Sequence, residues 1–266
     1  LAEAEKTFAR LDRILATERP DLVVFTGDVV TGAPAEGMWR RLLDTMTARR
    51  VPFCVVLGNH DSEQDLSRQQ IGRIVTSCPG SLNTLDAAGE LADRELEILG
   101  SGSRRPVWLL YCLDSHSESL LEGIDGYDWF RPEPVAWLRD RCTARRTANG
   151  GRAGPSLAFF HIVLPEYLSA WRNPSNSHIG RAAEAECPGA LNTGMFAAMI
   201  ESGSVMGTFV GHDHDIDYLV ADKGVCLGYG RFSGDNTTYN NLRPGVRLLL
   251  LTEGERGFET WIREDD

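Results

Sequence analysis

The sequence predicts an α/β domain that closes with an antiparallel portion. Helical periods alternate with strand-like apolar runs through most of the chain, which is typical of α/β proteins. From Gly224 to Ile262, short strands separated by tight turns follow one another instead. No repeat or low-complexity tract interrupts this pattern, so we expect residues 1–266 to form a single domain.

The first elements alternate as this fold class requires. Apolar positions recur with a helical period in residues 3–17, and Pro20 marks the end of that helix. A strand is predicted in DLVVFTGD, a second helix over residues 38–49, and a second strand in VPFCVVLGNHD. Helix and buried strand have therefore each appeared twice within the first 61 residues.

The later elements continue the pattern. VWLLYCLDSH is an apolar run, and RPEPVAWLRDRCTARR is typical of a helix with proline at an early position. SLAFFH and VMGTFVGH are predicted as two more strands. The closing runs VCLGYG, GVRLLLLTE and FETWIRE give the antiparallel portion.

Charge and hydropathy exclude several classes of partner. The net charge is −11, and nucleic-acid binding rests mainly on clustered Lys and Arg, so no nucleic-acid partner is expected. No apolar run approaches the roughly 20 residues that span a bilayer, which favours a soluble chain without a membrane partner. The chain opens at Leu1 without a signal peptide, and a cleaved or cropped beginning would look the same. The compartment therefore stays open, secretion or a vacuolar location included, and so does the oligomeric state.

Side chains that can bind a metal follow four of the predicted strands. They are Asp28, Asn59 with His60, His161, and His212 with His214. The carboxyl ends of strands in an open α/β sheet form the crevice where ligands bind, so these residues are expected to converge. Two histidines spaced i, i+2 on an extended segment would also point to the same side. The sequence therefore predicts a metal site at this edge.

The chemistry of these side chains narrows the choice of ion. Carboxylate, amide and imidazole donors without thiolate suit Mn, Fe, Zn, Co or Ni. Even without His60, the five other N and O donors exceed one closed tetrahedral site. We therefore expect two ions that share a bridging carboxylate, with open positions for water and substrate.

The blocks GDVVTG (27–32), GNHD (58–61), FFH (159–161) and GHDH (211–214) occur in order, each after an apolar strand. In this the chain resembles the calcineurin-like metallophosphoesterases. FFHIVLPEY, FVGHDHDIDY and FETWIRE further resemble the branch of purple acid phosphatase 29-like and Dcr2-like phosphatases. The resemblance implies a four-layer αββα sandwich of two mixed sheets flanked by helices.

The resemblance also implies roles for individual residues. Asp28 matches the carboxylate that bridges both metals, which are two divalent ions or an Fe/divalent pair of Fe, Mn or Zn. Asn59, His161 and His212 match further ligands of the second metal, and His214 matches a ligand of the first. The implied activity is hydrolysis of phosphate monoesters of a small molecule or a phosphoprotein.

Two residues are predicted to be catalytic. His60 follows a metal ligand in sequence, so its imidazole is placed to protonate the leaving oxygen, with Asp61 orienting it. Two alternatives stay open: a phosphodiesterase of the same fold, and a relative that binds metal but has lost catalysis. Asp114, His116, Tyr229 and Arg231 are weaker candidates for the substrate side.

The chain departs from the family pattern at two points. A D-x-H block on a first strand should supply ligands to the first metal, and none precedes Asp28, so we expect the block and its strand to lie upstream of Leu1. The alternative is a real loss of the block, which would leave a one-metal site. Thr31 stands where purple acid phosphatases carry the tyrosine that colours their iron. We therefore expect a pale protein even when it is loaded with iron.

Overall fold

A computed structural model of the chain describes residues 2–235 and 241–264. The helices are α1 Ala2–Glu18, α2 Ala35–Arg49, α3 Arg68–Ser77, α4 Pro132–Ala148, α5 Pro165–Arg172 and α6 Met195–Ser202. The strands are β1 Val23–Thr26, β2 Phe53–Val56, β3 Arg94–Leu99, β4 Pro106–Cys112, β5 Ser156–Phe159, β6 His178–Ile179, β7 Val205–Val210, β8 Leu219–Asp222, β9 Val225–Tyr229, β10 Gly245–Leu251 and β11 Phe258–Glu264.

The largest sheet has seven strands in the order β3-β4-β5-β7-β9-β8-β6. Its four central strands run parallel, and the outer strands pair antiparallel. Strands β1 and β2 form a separate parallel pair, and β10 and β11 form an antiparallel hairpin. The carboxyl ends of the parallel strands meet at a common edge, which is where ligands bind in α/β proteins.

Three hydrophobic clusters separate four layers. One cluster packs α1, α2 and α3 against β1 and β2. A second lies between the β1–β2 pair with the hairpin and the large sheet, and a third packs α4, α5 and α6 on the outer face of that sheet. Strand β4 illustrates the alternation: Leu110 and Cys112 face the central cluster, whereas Leu109 and Tyr111 face the helices. The architecture is therefore the expected αββα sandwich.

Most of the elements read from the sequence are present. The helix of residues 3–17 is α1, and the helix with early proline is α4, with Pro132 in its first turn. The sequence interpretation missed the short helices α3, α5 and α6, as well as strands β3, β6 and β8. No helix that the structure describes is both long and apolar enough to cross a bilayer.

Candidate metal centre

Four of the predicted ligands converge at the ends of β1, β2, β5 and β7. Ligand atoms of Asp28, His161 and His212 all lie within 4.8 Å of one another. The Oδ1 atom of Asn59 lies 3.1 Å from Nε2 of His161, which places the amide in the same group. His161 is the centre of the cluster and is 1% exposed.

Hydrogen bonds to the backbone fix the orientation of these donors. Nδ1 of His161 lies 2.7 Å from the carbonyl oxygen of Thr26 and donates a hydrogen bond to it, so Nε2 is the nitrogen that faces the cluster and can bind a metal once its proton has left. Asp28 Oδ1 accepts a hydrogen bond from the backbone N–H of His60, 2.9 Å away. Each residue thereby keeps one atom for the centre of the cluster.

The backbone is strained at two of the donors. Asp28 has a φ of 50° and His212 has a φ of 70°, a region that non-glycine residues rarely adopt. Such strain persists only where the surrounding structure imposes it, and it clusters at functional sites. Both residues follow a glycine directly after a strand, so the chain turns sharply and presents the side chain at the strand end.

Three glycines allow the loops to close around His161. A Cβ atom on Gly27 would lie 2.5 Å from Cγ of His161, and one on Gly58 would lie 2.7 Å from its Nε2. A Cβ on Gly211 would lie 3.2 Å from its Nδ1. Each of the GD, GN and GH blocks therefore needs glycine, because a side chain at that position would crowd His161.

The electrostatics of the cluster suit a cation. Burial opposes ionisation of Asp28, but the charge and hydrogen bond of His161 lower the pKa of this carboxyl to about 2. Burial likewise opposes protonation of His161, yet the charge of Asp28 raises the pKa of the imidazole. Burial and then the charge of His161 lower the pKa of His212 to about 3, so that ring is neutral. A carboxylate and a neutral imidazole thus face a nitrogen that holds a proton.

The residues present fit a metal ion. Oδ2 of Asp28 is buried and has no hydrogen-bond partner among the described residues, and Nδ1 of His212 lies 3.3 Å from Nε2 of His161. Oδ2 of Asp28 lies 3.1 Å from Nε2 of His161, and that contact is attractive only if a proton or another cation is present between acceptors. Buried acceptors that converge without donors are the arrangement that a divalent ion satisfies.

His214 does not join this group. The i, i+2 argument assumed an extended segment, but the positive φ of His212 turns the chain at that residue. The side chains of His212 and His214 therefore do not extend from one face of a strand. His214 is near enough for its charge to lower the pKa of His212, but it is not in the group of converging ligand atoms.

The expectation that Asp61 orients His60 is wrong. Asp61 is completely buried and accepts hydrogen bonds from the backbone N–H groups of Val29, Val30 and Gly58. Both of its oxygens are occupied in tying the loop after β1 to the loop after β2. Burial and then the charge of Asp28 raise the pKa of Asp61 to about 6.

Glu63 makes the contact that was expected of Asp61. Its Oε2 lies 2.6 Å from Nδ1 of His60, and both side chains are close to half exposed. His60 therefore faces solvent at the rim of the centre, while its backbone N–H holds Asp28. In the sequence, only the i, i+3 spacing of His60 and Glu63 indicates this contact, and such a spacing within a loop is a weak indication.

Two of the weaker candidates are structural. Tyr229 is buried and donates a 2.6 Å hydrogen bond to Asp213. The buried side chain of Arg231 forms ion pairs with Asp217 and Glu264. Neither residue is placed for contact with a substrate.

Asp114 and His116 lie beside the carboxyl end of β4. Arg68 forms an ion pair with Asp114, and Oδ1 of Asp114 accepts the backbone N–H of His116. The backbone N–H of Ile162, next to His161, donates to Ser115 Oγ at 2.9 Å. These residues thus adjoin the centre without supplying a ligand to the converging group.

The aromatic residue nearest to the centre was missed by the sequence interpretation. The rings of Tyr127 and His212 are perpendicular, with centroids 4.2 Å apart. Tyr127 comes from the long connection between β4 and α4, far in sequence from every predicted ligand. No motif marks it in the sequence.

Comparisons with known proteins show the family to which the chain belongs. The family described as calcineurin-like phosphoesterase matches residues 2–216. The chain is 33% identical to probable inactive purple acid phosphatase 29 of Arabidopsis thaliana, over 96% of this chain and 73% of the relative. It is 30% identical to phosphatase DCR2 of Saccharomyces cerevisiae, over 97% of this chain but only 48% of the relative.

A solved structure has the same fold. The chain superposes on a dimetal phosphatase from Danio rerio with a TM-score of 0.60 and 16% identity, over 88% of this chain and 79% of that one. Identity at this level supports the likeness of the fold alone.

Proposed function

Because the chain belongs to the calcineurin-like phosphoesterase family, we propose that it is a metal-dependent phosphatase that hydrolyses phosphate monoesters. The family consists generally of phosphoester hydrolases with a dinuclear metal site. The observation that carries the proposal is the convergence of Asp28, Asn59, His161 and His212 beside a solvent-facing His60.

Asp28, Asn59, His161 and His212 would hold the metal. Divalent ions supply positive charge to the phosphate oxygens and lower the pKa of a bound water, so that hydroxide forms near neutral pH. We propose Fe, Mn or Zn, because the donors are carboxylate, amide and imidazole. His214 is proposed to serve a second ion, as its position in the GHDH block implies.

The chain's own residues handle the proton of the leaving group. His60 lies at the rim, where an ester oxygen can approach it, and Oε2 of Glu63 accepts a hydrogen bond from its Nδ1. The Nε2 atom of His60 would then deliver a proton to the departing oxygen. Asp61 acts at a distance, because it holds the loop that carries His60 against the loop that carries Asp28.

A non-catalytic metal-binding relative is the second candidate. The Arabidopsis thaliana relative bears the word inactive in its name, and Thr31 stands where purple acid phosphatases carry a tyrosine. His60, the proposed acid, is nevertheless present and accessible to solvent. This residue favours the enzyme over the non-catalytic relative.

His60→Ala tests the proposed acid. We expect turnover of esters with poor leaving groups to fall by roughly 10² to 10⁴, the usual effect of losing a general acid, while metal content stays nearly unchanged. The assay compares aryl phosphates of graded leaving-group acidity with Mn or Fe/Zn supplied, and elemental analysis follows the metal. His178→Ala is the matched control, since His178 is exposed on β6 and contacts Trp171.

Each other outcome has a separate meaning. Loss of metal from His60→Ala would make His60 a ligand, and an equal loss for good and poor leaving groups would remove its role as acid. Faster hydrolysis of a bis-aryl phosphodiester than of the monoester would favour a phosphodiesterase. Metal binding without turnover of either ester would favour the non-catalytic relative.

A further inference from the structure

A hairpin rises from the connection between β4 and α4. Ser119 N–H donates to the carbonyl of Gly126 at 2.8 Å, and Asp128 N–H donates to the carbonyl of Ser117 at 2.9 Å. Its tip is open to solvent, because the Leu120 side chain is 90% exposed. We call residues 117–128 the β4–α4 hairpin.

The base of the β4–α4 hairpin is well anchored. The carbonyl of Tyr127 accepts the backbone N–H of Ala190 at 3.0 Å. The buried carboxylate of Asp128 forms a 2.7 Å ion pair with Arg131, whose guanidinium lies over the Trp129 ring. Tyr127 is therefore held at the fixed end of the hairpin and not at its open tip.

Tyr127 borders the metal centre. Its ring lies perpendicular to that of His212, at a centroid distance of 4.2 Å. The Tyr127 side chain is only partly buried, so part of its ring remains accessible beside the ligand. An ester whose phosphate is held at the centre must extend its organic group over one of the residues at this border.

The charges around Tyr127 disfavour an anionic organic group. Glu118 pairs with Tyr127 across the β4–α4 hairpin, Asp213 follows His212 directly in the chain, and Asp28 lies in the same group of ligand atoms as His212. Only the third of these would be offset by a metal ion, because Asp28 is a proposed ligand. An aromatic group gains from contact with the ring without adding to the negative charge, whereas a second phosphate is repelled.

We propose that Tyr127 is a specificity-determining residue that contacts the organic group of the ester, and that the preferred substrates are aryl monoesters. The inference rests on the proposed function, because it assumes that phosphate is held at the metal centre. Contacts between aromatic rings typically strengthen binding by about 2- to 10-fold beyond the effect of buried area. The expected preference for an aryl over a methyl group is therefore at least of this order.

Binding of phosphonates tests the inference without turnover, since their P–C bond is not hydrolysed. The Mn-loaded chain is titrated calorimetrically with phenylphosphonate, cyclohexylphosphonate and methylphosphonate. We expect the wild type to bind phenylphosphonate most tightly. Tyr127→Ala should bind phenylphosphonate about 2- to 10-fold more weakly and methylphosphonate as before, so the preference is lost. Tyr127→Phe should keep the preference.

Leu120→Ala is the matched control. It lies on the same hairpin but at the exposed tip, and it should leave the affinities for all three phosphonates unchanged. A change equal to that of Tyr127→Ala would mean that the hairpin as a whole, and not the Tyr127 ring, determines binding. That result would overturn the assignment to Tyr127.

The remaining outcomes separate this inference from the proposed function. Equal affinity of the wild type for the phenyl and methyl ligands, or for the phenyl and cyclohexyl ligands, would overturn the aromatic preference. Equal weakening of all ligands by both Tyr127→Ala and Tyr127→Phe would mean that the hydroxyl binds phosphate instead. Tight binding of phenylphosphonate that depends on the Tyr127 ring, without turnover of any ester, would overturn the proposed function alone. Failure of the wild type to bind methylphosphonate would overturn both the proposed function and this inference.

Discussion

Gly58→Ala is expected to abolish tight metal binding although it changes no ligand. The added Cβ would lie 2.5 Å from the backbone nitrogen of Asp28 and 2.7 Å from Nε2 of His161. Real Cβ contacts essentially never fall below 3.0 Å, so one of these neighbours must move. Gly58 is not in the left-handed region of φ, so the effect is purely steric.

The magnitude follows from the distances. Carbon atoms pack at about 3.5 to 4.0 Å, so the loop after β1 or His161 must shift by about 1 Å. Metal coordination tolerates deviations of only about 0.2 Å. Loss of supporting contacts around a ligand typically costs about 10- to 100-fold in metal affinity, and displacing a ligand itself should cost at least the upper value. Overpacking should also destabilise the metal-free fold by about 1–3 kcal/mol.

Isothermal titration of the metal-free protein with Mn measures the affinity, and urea denaturation measures the free energy of unfolding. The matched control is Gly37→Ala within α2, because no atom lies within 4 Å of the Cβ that it would add. That variant should bind Mn normally and gain about 0.5–1 kcal/mol in stability, as alanine replaces glycine in a helix. Wild-type Mn affinity in Gly58→Ala would refute the argument that close packing around His161 sets the donor geometry.

Three further predictions concern the same centre. Asp61→Asn should reduce metal affinity roughly tenfold and lower activity on all esters equally, because the NH₂ group of the new amide would face a backbone N–H. Glu63→Gln should slow only the hydrolysis of esters with poor leaving groups. Steady-state rates over a series of leaving groups distinguish the two variants. The iron-loaded protein should lack an intense visible band because Thr31 has no phenolate, and an absorption spectrum that showed a strong purple band would contradict this. Metal affinity should rise as the pH rises through the pKa of His161, because the proton must leave before metal binds; burial lowers this pKa, but the charge of Asp28 holds it above the ordinary value of 6.5. Titrations that found a flat or falling affinity would count against His161 as a ligand.

The metal-free protein should show the corresponding stability profile. The raised pKa of His161 means that its contribution to stability is complete below its ordinary value of 6.5 and is lost as the pH rises through the folded-state pKa. The lowered pKa of Asp28 means that its contribution is present above 3.8 and is lost as the pH falls towards about 2. The pair therefore stabilises the metal-free fold most between about pH 4 and 6.5.

Much of the centre was predictable because the carboxyl ends of strands meet at one edge. Asp28, Asn59, His161 and His212 each follow an apolar run, and that placement alone brings them together. The αββα layering was implied by the family resemblance, since local pattern does not say how two sheets stack.

The rest of the centre depends on contacts that sequence spacing does not encode. The turn at His212 removes His214 from the group, and it requires a positive φ that histidine rarely adopts. Asp61 precedes a polar loop, yet it is buried. It accepts backbone hydrogen bonds from Val29 and Val30 in the loop after β1 and from Gly58 in its own loop. Tyr127 reaches the centre through a hairpin that joins elements outside the motif blocks.

Among the missed helices, α6 lies in the apolar stretch MFAAMI. A stretch that is apolar on every side carries no helical period, so periodicity does not distinguish it from a buried strand.

The way in which each donor is held bears on how many ions the described residues can bind firmly. Nδ1 of His161 donates a hydrogen bond to the carbonyl of Thr26, and Oδ1 of Asp28 accepts one from the backbone N–H of His60, so each residue keeps its other ligand atom for the cation. The donors are therefore ordered before metal arrives, and binding one ion there costs little conformational entropy. A second ion would draw on Asp28 and His214, and His214 is not in the group of converging ligand atoms. Two firmly bound ions thus require ligand atoms beyond those of Asp28, Asn59, His161 and His212.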